Sequence, residues 1–365
     1  MNQSSISDQE PVSMQGAYCP LPLPHHEQIV IGHGSGGKMT HDLVRTVFQG
    51  RLNNSFLDGN DGAVLPIQDP DHEIVVSVDA HVVSPLFFPG GDIGRLAISG
   101  TVNDIAVMGA IPKHIMAGFI LEEGFRIETL IKIIDTMSAT AQEAQVLVVA
   151  GDTKVVEKGK CDGIYITTSG VGVRKKELLI GGQYVKPGDA IILSGSIGDH
   201  GIAVLQARGE LGFESQIVSD VAPLNDMIQK ALDAGCMEGG NAIHAMRDPT
   251  RGGVATTLSE IAQQSHTGIL LDEKTIPISE SVQSICEMLG FDPLYVANEG
   301  KCLFFVDQRK CQNVLGILRE DPHGNNAQII GKVTAENPGM VLLKTILGST
   351  RLLEMLSGEL LPRIC

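Results

Sequence analysis

The chain has 365 residues, 43% of them hydrophobic, and carries a formal net charge of −16. That length predicts two domains. The chain is acidic and has no basic run, which argues against a surface that binds nucleic acid or an anionic membrane. Its apolar runs are strand length, well below the ~18 residues of a membrane span, and no signal segment opens the chain. Seven scattered cysteines without a C-x-x-C spacing suit a reducing compartment, so we expect a cytoplasmic protein.

Residues 1–28 contain four prolines and predict a flexible leader. Apolar periodicity then predicts alternating strands and helices from 29 to 175, which form a first domain. The predicted strands are 28–31, 63–67, 73–78, 114–121, 146–150 and 164–173, and the predicted helices are 40–48, 92–108 and 127–144. This alternation is typical of the α/β class.

A second alternation predicts another domain at 176–350. Its predicted strands are 190–193, 268–271, 302–306, 328–332 and 340–343, and its predicted helices are 224–234, 254–264, 280–289 and 308–320. Residues 351–365 then form a mobile tail that ends in Cys365. We therefore predict an α/β (α+β) fold of two domains with a tail whose last side chain is a thiol.

A glycine-rich loop at 32–38 follows an apolar strand and opens a helix. It lacks the Ser or Thr that follows the lysine in a Walker loop, because Met39 occupies that position, and no acidic residue closes a second strand as a dinucleotide site requires. Four glycines and Lys38 at a helix N-terminus still predict an anion cradle. A plain turn is the alternative.

Four acidic residues recur at the ends of elements or inside an apolar helix: Asp61, Asp79, Asp104 and Asp152. A carboxylate in such surroundings is costly unless it is paired or binds a cation. Because Mg²⁺ prefers carboxylate and phosphate oxygens, acids from separate loops are typical of a metal–triphosphate site. Each one alone is as well explained as a cap or turn residue.

Two further features lie in loops. The RDPTRGG stretch at 247–253 leads into a helix and offers guanidinium groups to phosphate, or it is an ordinary helix entry. Glu299 precedes an apolar strand and is a candidate base, while Lys154 is a candidate for holding phosphate or an oxyanion. Either side chain has a plain surface role as its alternative. Cys365 is a candidate nucleophile, or the end of a frayed terminus.

These motifs carry a family resemblance. The stretches SVDAH, GTVNDIAVMG, AGDTKV, MRDPTRGGV, ANEG and the closing PRIC resemble the HypE family of nickel–iron hydrogenase maturation proteins. That family lies within the aminoimidazole ribonucleotide synthetase (PurM-like) superfamily of ATP users. The acids and the glycine loop are shared across the superfamily, whereas RDPTRGG together with the terminal PRIC is specific.

The resemblance implies an architecture and a reaction. It implies an N-terminal sheet domain that forms a barrel in a homodimer, and a C-terminal α/β sandwich. It also implies that HypF carbamoylates Cys365, that ATP-dependent dehydration turns the S-carboxamide into a thiocyanate, and that the cyanide passes to iron on a HypC–HypD complex.

The same resemblance implies roles for individual residues. Cys365, Glu299 and Lys154 would be catalytic, and Mg²⁺ would bind Asp61, Asp79, Asp104 and Asp152. ATP would contact Gly34, Gly36, Gly37, Lys38, Asp79, Asn103, Asp104, Gly151, Asp152, Thr153 and Arg251. Two rival functions stay open: an ATP-dependent enzyme acting on a free small substrate, and a thiol carrier whose nucleotide only stabilises the fold.

Overall fold

The computed structural model describes residues 28–29, 43–51, 71–209, 216–238, 240–354, 361 and 364–365. Within that part of the chain, no helix combines the length and the apolar character that crossing a bilayer requires. The first elements are β1 (His72–His81), β2 (Phe87–Phe88), β3 (Gly91–Asp92), α1 (Ile93–Val107), β4 (Ile111–Glu122), α2 (Ile127–Glu143), β5 (Leu147–Val156) and β6 (Ile164–Lys175).

The later elements begin with β7 (Ala190–Leu193), α3 (Asp199–Ala207), α4 (Asn225–Ala234), β8 (Cys236–Met237), β9 (Gly240–Asn241), β10 (Ile243–Arg247), α5 (Gly253–Ser265) and β11 (Gly268–Asp272). They end with α6 (Glu280–Leu289), β12 (Leu303–Val306), α7 (Cys311–Glu320), β13 (Gln328–Thr334), β14 (Val341–Lys344) and β15 (Thr350–Leu353). A π-helical turn at Val44–Gln49 and 3₁₀ turns at Gly182–Tyr184, Glu273–Thr275 and Pro293–Tyr295 are also present.

The first sheet has four strands in the order β1–β6–β4–β5. Helix α1 packs against one of its faces, and its side chains are buried along nearly its whole length. Asp92 caps this helix by accepting hydrogen bonds from the amides of Gly94 and Arg95 at 2.6 and 3.0 Å. Because side chains alternate along a strand, one face of β1 turns towards α1 and the other away from it.

The second sheet has seven strands in the order β10–β12–β7–β13–β11–β14–β15, with helices on both faces. Its interior strands β7 and β12 are buried at every position. Phe304 packs with α4 and α7 on one face, whereas Phe305 packs with α5 on the other. Continuous apolar runs are what a strand covered on both faces requires.

The two-domain α/β prediction is confirmed, with specific differences. Strand β5 continues to Val156, so Asp152 lies inside a strand instead of just after one, and β15 includes residues 351–353 that the sequence had assigned to the tail. The predicted strand 63–67 and the second half of the predicted strand 28–31 lie outside the described residues. Seven labelled elements were not predicted: α3, β10, β15 and the two-residue strands β2, β3, β8 and β9.

Candidate active site

Strand β1 and helix α1 bring two of the predicted acids together. The Ser77 hydroxyl donates to Asp104 Oδ2 at 2.6 Å, which joins β1 to the only acidic residue of α1. Asp79 lies two residues further along the same face of β1. Gly100 on α1 allows this approach, because a Cβ there would lie 3.1 Å from Asp79 Oδ2. Burial raises the pKa of Asp104, and the charge of Asp79 raises it further.

The second domain places the loop 247–253 over these acids. Asp248 lies close enough for the charges of Asp104 and Asp79 to raise its pKa. The positive charges of Arg247 and Arg251 act on Asp104 in the other direction and lower its pKa. Asn298 fixes the loop, since its side-chain amide donates to the carbonyl of Pro249 at 2.9 Å. The site is therefore a group of carboxylates assembled from both domains.

Glu299 is the most deeply enclosed member of this group. Its side chain is 4% exposed, and Oε1 is buried without a hydrogen-bond partner in the described part of the chain. Burial raises its pKa well above the usual carboxyl range, and the charges of Asp248, Asp79, Asp220 and Asp104 raise it further. A buried carboxyl with an available oxygen and a raised pKa is suited to proton transfer.

Asp248 gives a measurable pH dependence. Burial, followed by the charge of Asp104, raises its pKa to about 7. The folded chain therefore holds this proton over a range where the unfolded chain, with an ordinary Asp pKa of ~3.9, has lost it. Because the folded state then binds more protons, stability falls as pH rises through this window.

We expect the melting temperature of the nucleotide-free protein to fall between about pH 5 and about pH 8, and Asp248→Asn to reduce that fall. Differential scanning calorimetry across this range measures both slopes. Glu299 contributes with the same sign, so the Asp248→Asn slope should be smaller than that of the unaltered protein without vanishing. Equal slopes in the two proteins would contradict this account.

The C-terminal tail reaches the same region. The amide of Val82 donates to the main-chain oxygen of Cys365 at 3.0 Å, and Ile364 forms an antiparallel bridge with Val83. Ile364 is buried in the core of the first domain, and Cys365 is partly buried against it. The terminal residue therefore lies beside the segment that directly follows Asp79.

The predicted residues on β5 lie at the far edge of the first sheet. Pairing runs from Asp79 to Thr168, from Thr168 to Ala117 and from Ala117 to Gly151. Three strand spacings of ~4.8 Å separate the two ends of this row by about 14 Å. Asp152 and Lys154 are exposed and lie 3.3 Å from each other, and Thr153 is buried. One chain alone does not bring them to Asp79.

Asn103 was predicted to contact ATP, but its side chain bonds to the backbone of the second domain. It is buried, its Oδ1 accepts from the amide of Leu224 at 2.7 Å, and its Nδ2 donates to the carbonyl of Ala222 at 3.0 Å. The side chain therefore joins α1 to the second domain. Arg251 is exposed at the mouth of the acidic group. The other predicted residues, Gly34, Gly36, Gly37, Lys38 and Asp61, lie outside the described residues.

The sequence did not single out four residues that border the site: His81, His200, Asp220 and Asp248. His81 is buried with its Nε2 3.0 Å from the Thr168 hydroxyl. Asp220 accepts from the amide of Glu299 at 3.1 Å and lies 3.2 Å from the Lys301 ammonium. The polar run Gly-Asp-His-Gly at 198–201, separated by four residues from the end of buried strand β7, was the available signal for His200.

No group of three His, Cys, Asp or Glu side chains among the described residues is arranged as a complete metal site. The chemistry of the carboxylates nevertheless fits a divalent cation. Mg²⁺ usually takes one or two protein carboxylates and completes its shell with water and phosphate oxygens. Asp79 and Asp104 supply such oxygens, and like charge around them favours a cation.

Comparison with known proteins gives consistent matches over both domains. Residues 59–174 match the AIR synthase related protein, N-terminal domain, and residues 186–344 match its C-terminal domain. The carbamoyl dehydratase HypE of Azotobacter vinelandii is 48% identical over 334 residues, which cover 91% of this chain and 96% of that one.

Two solved structures extend the match. The hydrogenase maturation protein HypE in complex with ATP superimposes with a TM-score of 0.87 at 43% identity, covering 93% of this chain and all of the other. A HypE–HypF complex matches with a TM-score of 0.74 at 45% identity, covering 86% and 99%. On this identity and coverage, the chain belongs to the AIR synthase-related family and, within it, to the HypE hydrogenase maturation proteins.

Proposed function

We propose that the protein is an ATP-dependent carbamoyl dehydratase that converts an S-carboxamide on its own Cys365 into a thiocyanate. The observation that carries the proposal is the position of the terminal residue, hydrogen-bonded to Val82 three positions after Asp79. The carboxylates that this segment borders include the buried Glu299. A relative at 43% identity is described in complex with ATP, which supports the nucleotide.

The proposed reaction balances with the groups at hand. The oxygen of the Cys365 carboxamide attacks the γ-phosphorus of ATP and ADP leaves, so a poor leaving group becomes a phosphate ester. One N–H proton is released to water as the imidate forms. Glu299 then accepts the remaining N–H proton while the C–O bond breaks, and inorganic phosphate and the thiocyanate result. General base catalysis of this kind contributes roughly 10²–10⁴-fold.

The remaining roles follow from charge. Asp79 and Asp104 would hold Mg²⁺, which would neutralise phosphate charge when bound. Asp61 and Asp152 are proposed as further ligands of this metal ion, and Arg251 and Lys38 are proposed to bind the phosphates. Lys154 would stabilise the developing negative charge. HypF is the proposed carbamoyl donor, in line with a related chain described in a HypE–HypF complex, and a HypC–HypD complex is the proposed cyanide acceptor.

The exposed face of the first sheet supports a homodimer. Ile74, Val76 and Val78 on β1 are 55%, 67% and 69% exposed, although all three are apolar. A contiguous apolar face of this kind is typical of an interaction surface. We propose that a second copy of the chain covers this face. The first sheet of that copy would bury the exposed apolar side chains, and it could bring its Asp152 close to the Asp79 of the first copy.

Val76→Asp is expected to convert a dimer into a monomer, because a charge buried in an apolar interface is strongly unfavourable. Sedimentation velocity measures the mass of the species in solution. Ile346→Asp is the matched control, since Ile346 is 61% exposed on the second domain, and it should leave the dimer intact. A Val76→Asp protein that still sediments as a dimer would contradict the proposed interface.

Mass spectrometry of the C-terminal peptide tests the proposed function. The protein is incubated with HypF and carbamoyl phosphate, and the C-terminal peptide is weighed before and after addition of Mg²⁺ and ATP. We expect a carboxamide on Cys365 that loses one water after ATP is added, and no loss with a non-hydrolysable ATP analogue. If ATP does not change the mass of the carboxamide, the protein is a thiol carrier and not a dehydratase.

A further inference from the structure

The docked tail is held at two points. The first is the backbone pairing with Val82 and Val83, and the second is a side chain from the other domain. His200 Nε2 lies 2.8 Å from the carbonyl oxygen of Ile364, the last peptide carbonyl before Cys365. Ile364 itself is 4% exposed, so the hydrogen bond lies in a region from which solvent is excluded. A hydrogen bond so placed is costly to leave unmade.

The hydrogen bonds around His200 fix which ring nitrogen carries the proton. A carbonyl oxygen can only accept, so Nε2 must donate to Ile364. In the neutral ring Nδ1, which lies 2.8 Å from the Ser219 hydroxyl, then accepts from it, and the Ser219 oxygen accepts from the amide of Val221 at 3.1 Å. Each donor in this chain then has one acceptor, and the neutral imidazole has a single tautomer.

The environment of the ring supports the neutral form. His200 is 0% exposed and contacts the ring of Phe88 edge to face at 5.4 Å between centroids. Burial lowers its pKa, against smaller opposing effects of the Asp220 charge and the Ile364 carbonyl. The side chain therefore offers the tail one oriented N–H donor, without a charge that would need compensation.

His200 is also connected to the position of Glu299. It lies in the first turn of α3, where the amide of Gly201 donates to the carbonyl of Ala297 at 3.1 Å, two residues before Glu299. On the other side, Ser219 orients the imidazole while the next residue, Asp220, accepts from the amide of Glu299 at 3.1 Å. Tail and base are thus positioned by the same two segments.

We propose that His200, oriented by Ser219, is a positioning residue that holds the tail in its inward position. The bond to Ile364 has to break before Cys365 can leave the site to meet a protein partner, and to form again before chemistry on Cys365. His200 then sets the balance between the two tail positions. The consequence for turnover rests on the proposed function, but the effect on tail position does not.

The accessibility of the terminal thiol tests the proposal directly. Each variant is treated with a limiting amount of N-ethylmaleimide, and labelling of Cys365 and Cys236 is followed by peptide mass spectrometry. Cys236 is exposed on the second domain and serves as an internal reference within each sample. His200→Leu keeps an apolar side chain in the cavity but removes the donor.

We expect His200→Leu to label Cys365 on the order of tenfold faster than the unaltered protein, with Cys236 unchanged. Ser219→Ala, which leaves the imidazole in place but no longer orients it, should label several-fold faster. His200→Gln should label at close to the original rate, because its amide nitrogen can donate to the Ile364 carbonyl. This rescue distinguishes a lost hydrogen bond from general loosening of the core.

Unchanged labelling of Cys365 in folded His200→Leu would overturn the proposal. Should that variant fail to fold, the same outcome in Ser219→Ala would overturn it. Addition of HypF, carbamoyl phosphate and ATP separates this result from the function: a loosened tail should be carbamoylated at least as fast and dehydrated more slowly. If the proposed function fails, no variant forms a thiocyanate, while the labelling rates still report on the tail.

Discussion

A chain carrying Cys365→Ala is expected to bind ATP with unchanged affinity and to form no carboxamide and no thiocyanate. The thiol is the proposed attachment point, and alanine removes the only thiol of the tail while keeping the backbone that pairs with Val82. The loss should therefore be complete. Mass spectrometry of the C-terminal peptide after incubation with HypF, carbamoyl phosphate and ATP measures it, and calorimetric titration measures the ATP affinity.

Cys236→Ala is the matched control, since it removes an exposed thiol from the second domain. This variant should form the thiocyanate at the original rate. A modification that persists on the Cys365→Ala chain would show that another residue receives the carbamoyl group. A loss of ATP affinity in the same variant would instead indicate that the tail contributes to the nucleotide site.

The fold was most predictable where burial produces a simple pattern. Strands β7 and β12 are unbroken apolar runs because both of their faces are covered. Helix α3 was missed because it is short and buried on nearly all sides, so it has no polar stripe from which a helical period can be recognised. Strand β15 was missed because only Leu353 of its four residues is buried.

The site was predictable in its chemistry and less so in its geometry. Asp79 and Asp104 were identified because a carboxylate in apolar surroundings needs an explanation, and Glu299 because it directly precedes an apolar strand. The structure places all three close enough for their charges to act on one another. Asp152 satisfies the same criterion but lies at the other edge of the sheet. Strand order decides this distance, and a single sequence contains no pattern that reveals the order in which strands pair.

Asn103 and His200 illustrate a second limit. Asn103 lies one residue from Asp104 in an acidic motif, yet its amide joins the two domains through Ala222 and Leu224. His200 lies in no recognised motif, yet it contacts the tail. In both cases the partner is a backbone group more than a hundred residues away, and local sequence does not specify such a partner.

The grouping of carboxylates has an energetic consequence for the proposed base. Every neighbour that raises the pKa of Glu299 is itself acidic: Asp248, Asp79, Asp220 and Asp104. A cation bound to Asp79 and Asp104 would relieve this repulsion and lower the pKa of Glu299 towards its working range. Binding of Mg²⁺ and nucleotide would then prepare the base at the same time as it positions the phosphate.

Glu299→Gln is expected to accept the carbamoyl group normally and then to stall before loss of water. The amide has the shape of the protonated acid but cannot take a proton from the carboxamide nitrogen, so dehydration should slow by roughly 10²–10⁴-fold. Quenched-flow mass spectrometry of the C-terminal peptide separates the two steps. Because burial and the neighbouring acids raise the pKa of Glu299, the exchange removes a carboxyl that is unfavourable to ionise, and it should not lower the melting temperature near neutral pH.

The pH dependence of the dehydration rate tests whether the raised pKa of Glu299 controls the reaction. Glu299 must be ionised to act as a base, and burial among acids disfavours ionisation, so the dehydration rate of the unaltered protein should rise with pH above the ordinary carboxyl range. The residual rate of Glu299→Gln should lack this rise. Glu336→Gln, which alters an exposed carboxylate of the second domain, should retain both rate and profile. Unimpaired water loss in Glu299→Gln would remove Glu299 from the role of base and leave Asp248, the neighbouring partly exposed carboxyl with a pKa raised to about 7, as the next residue to replace.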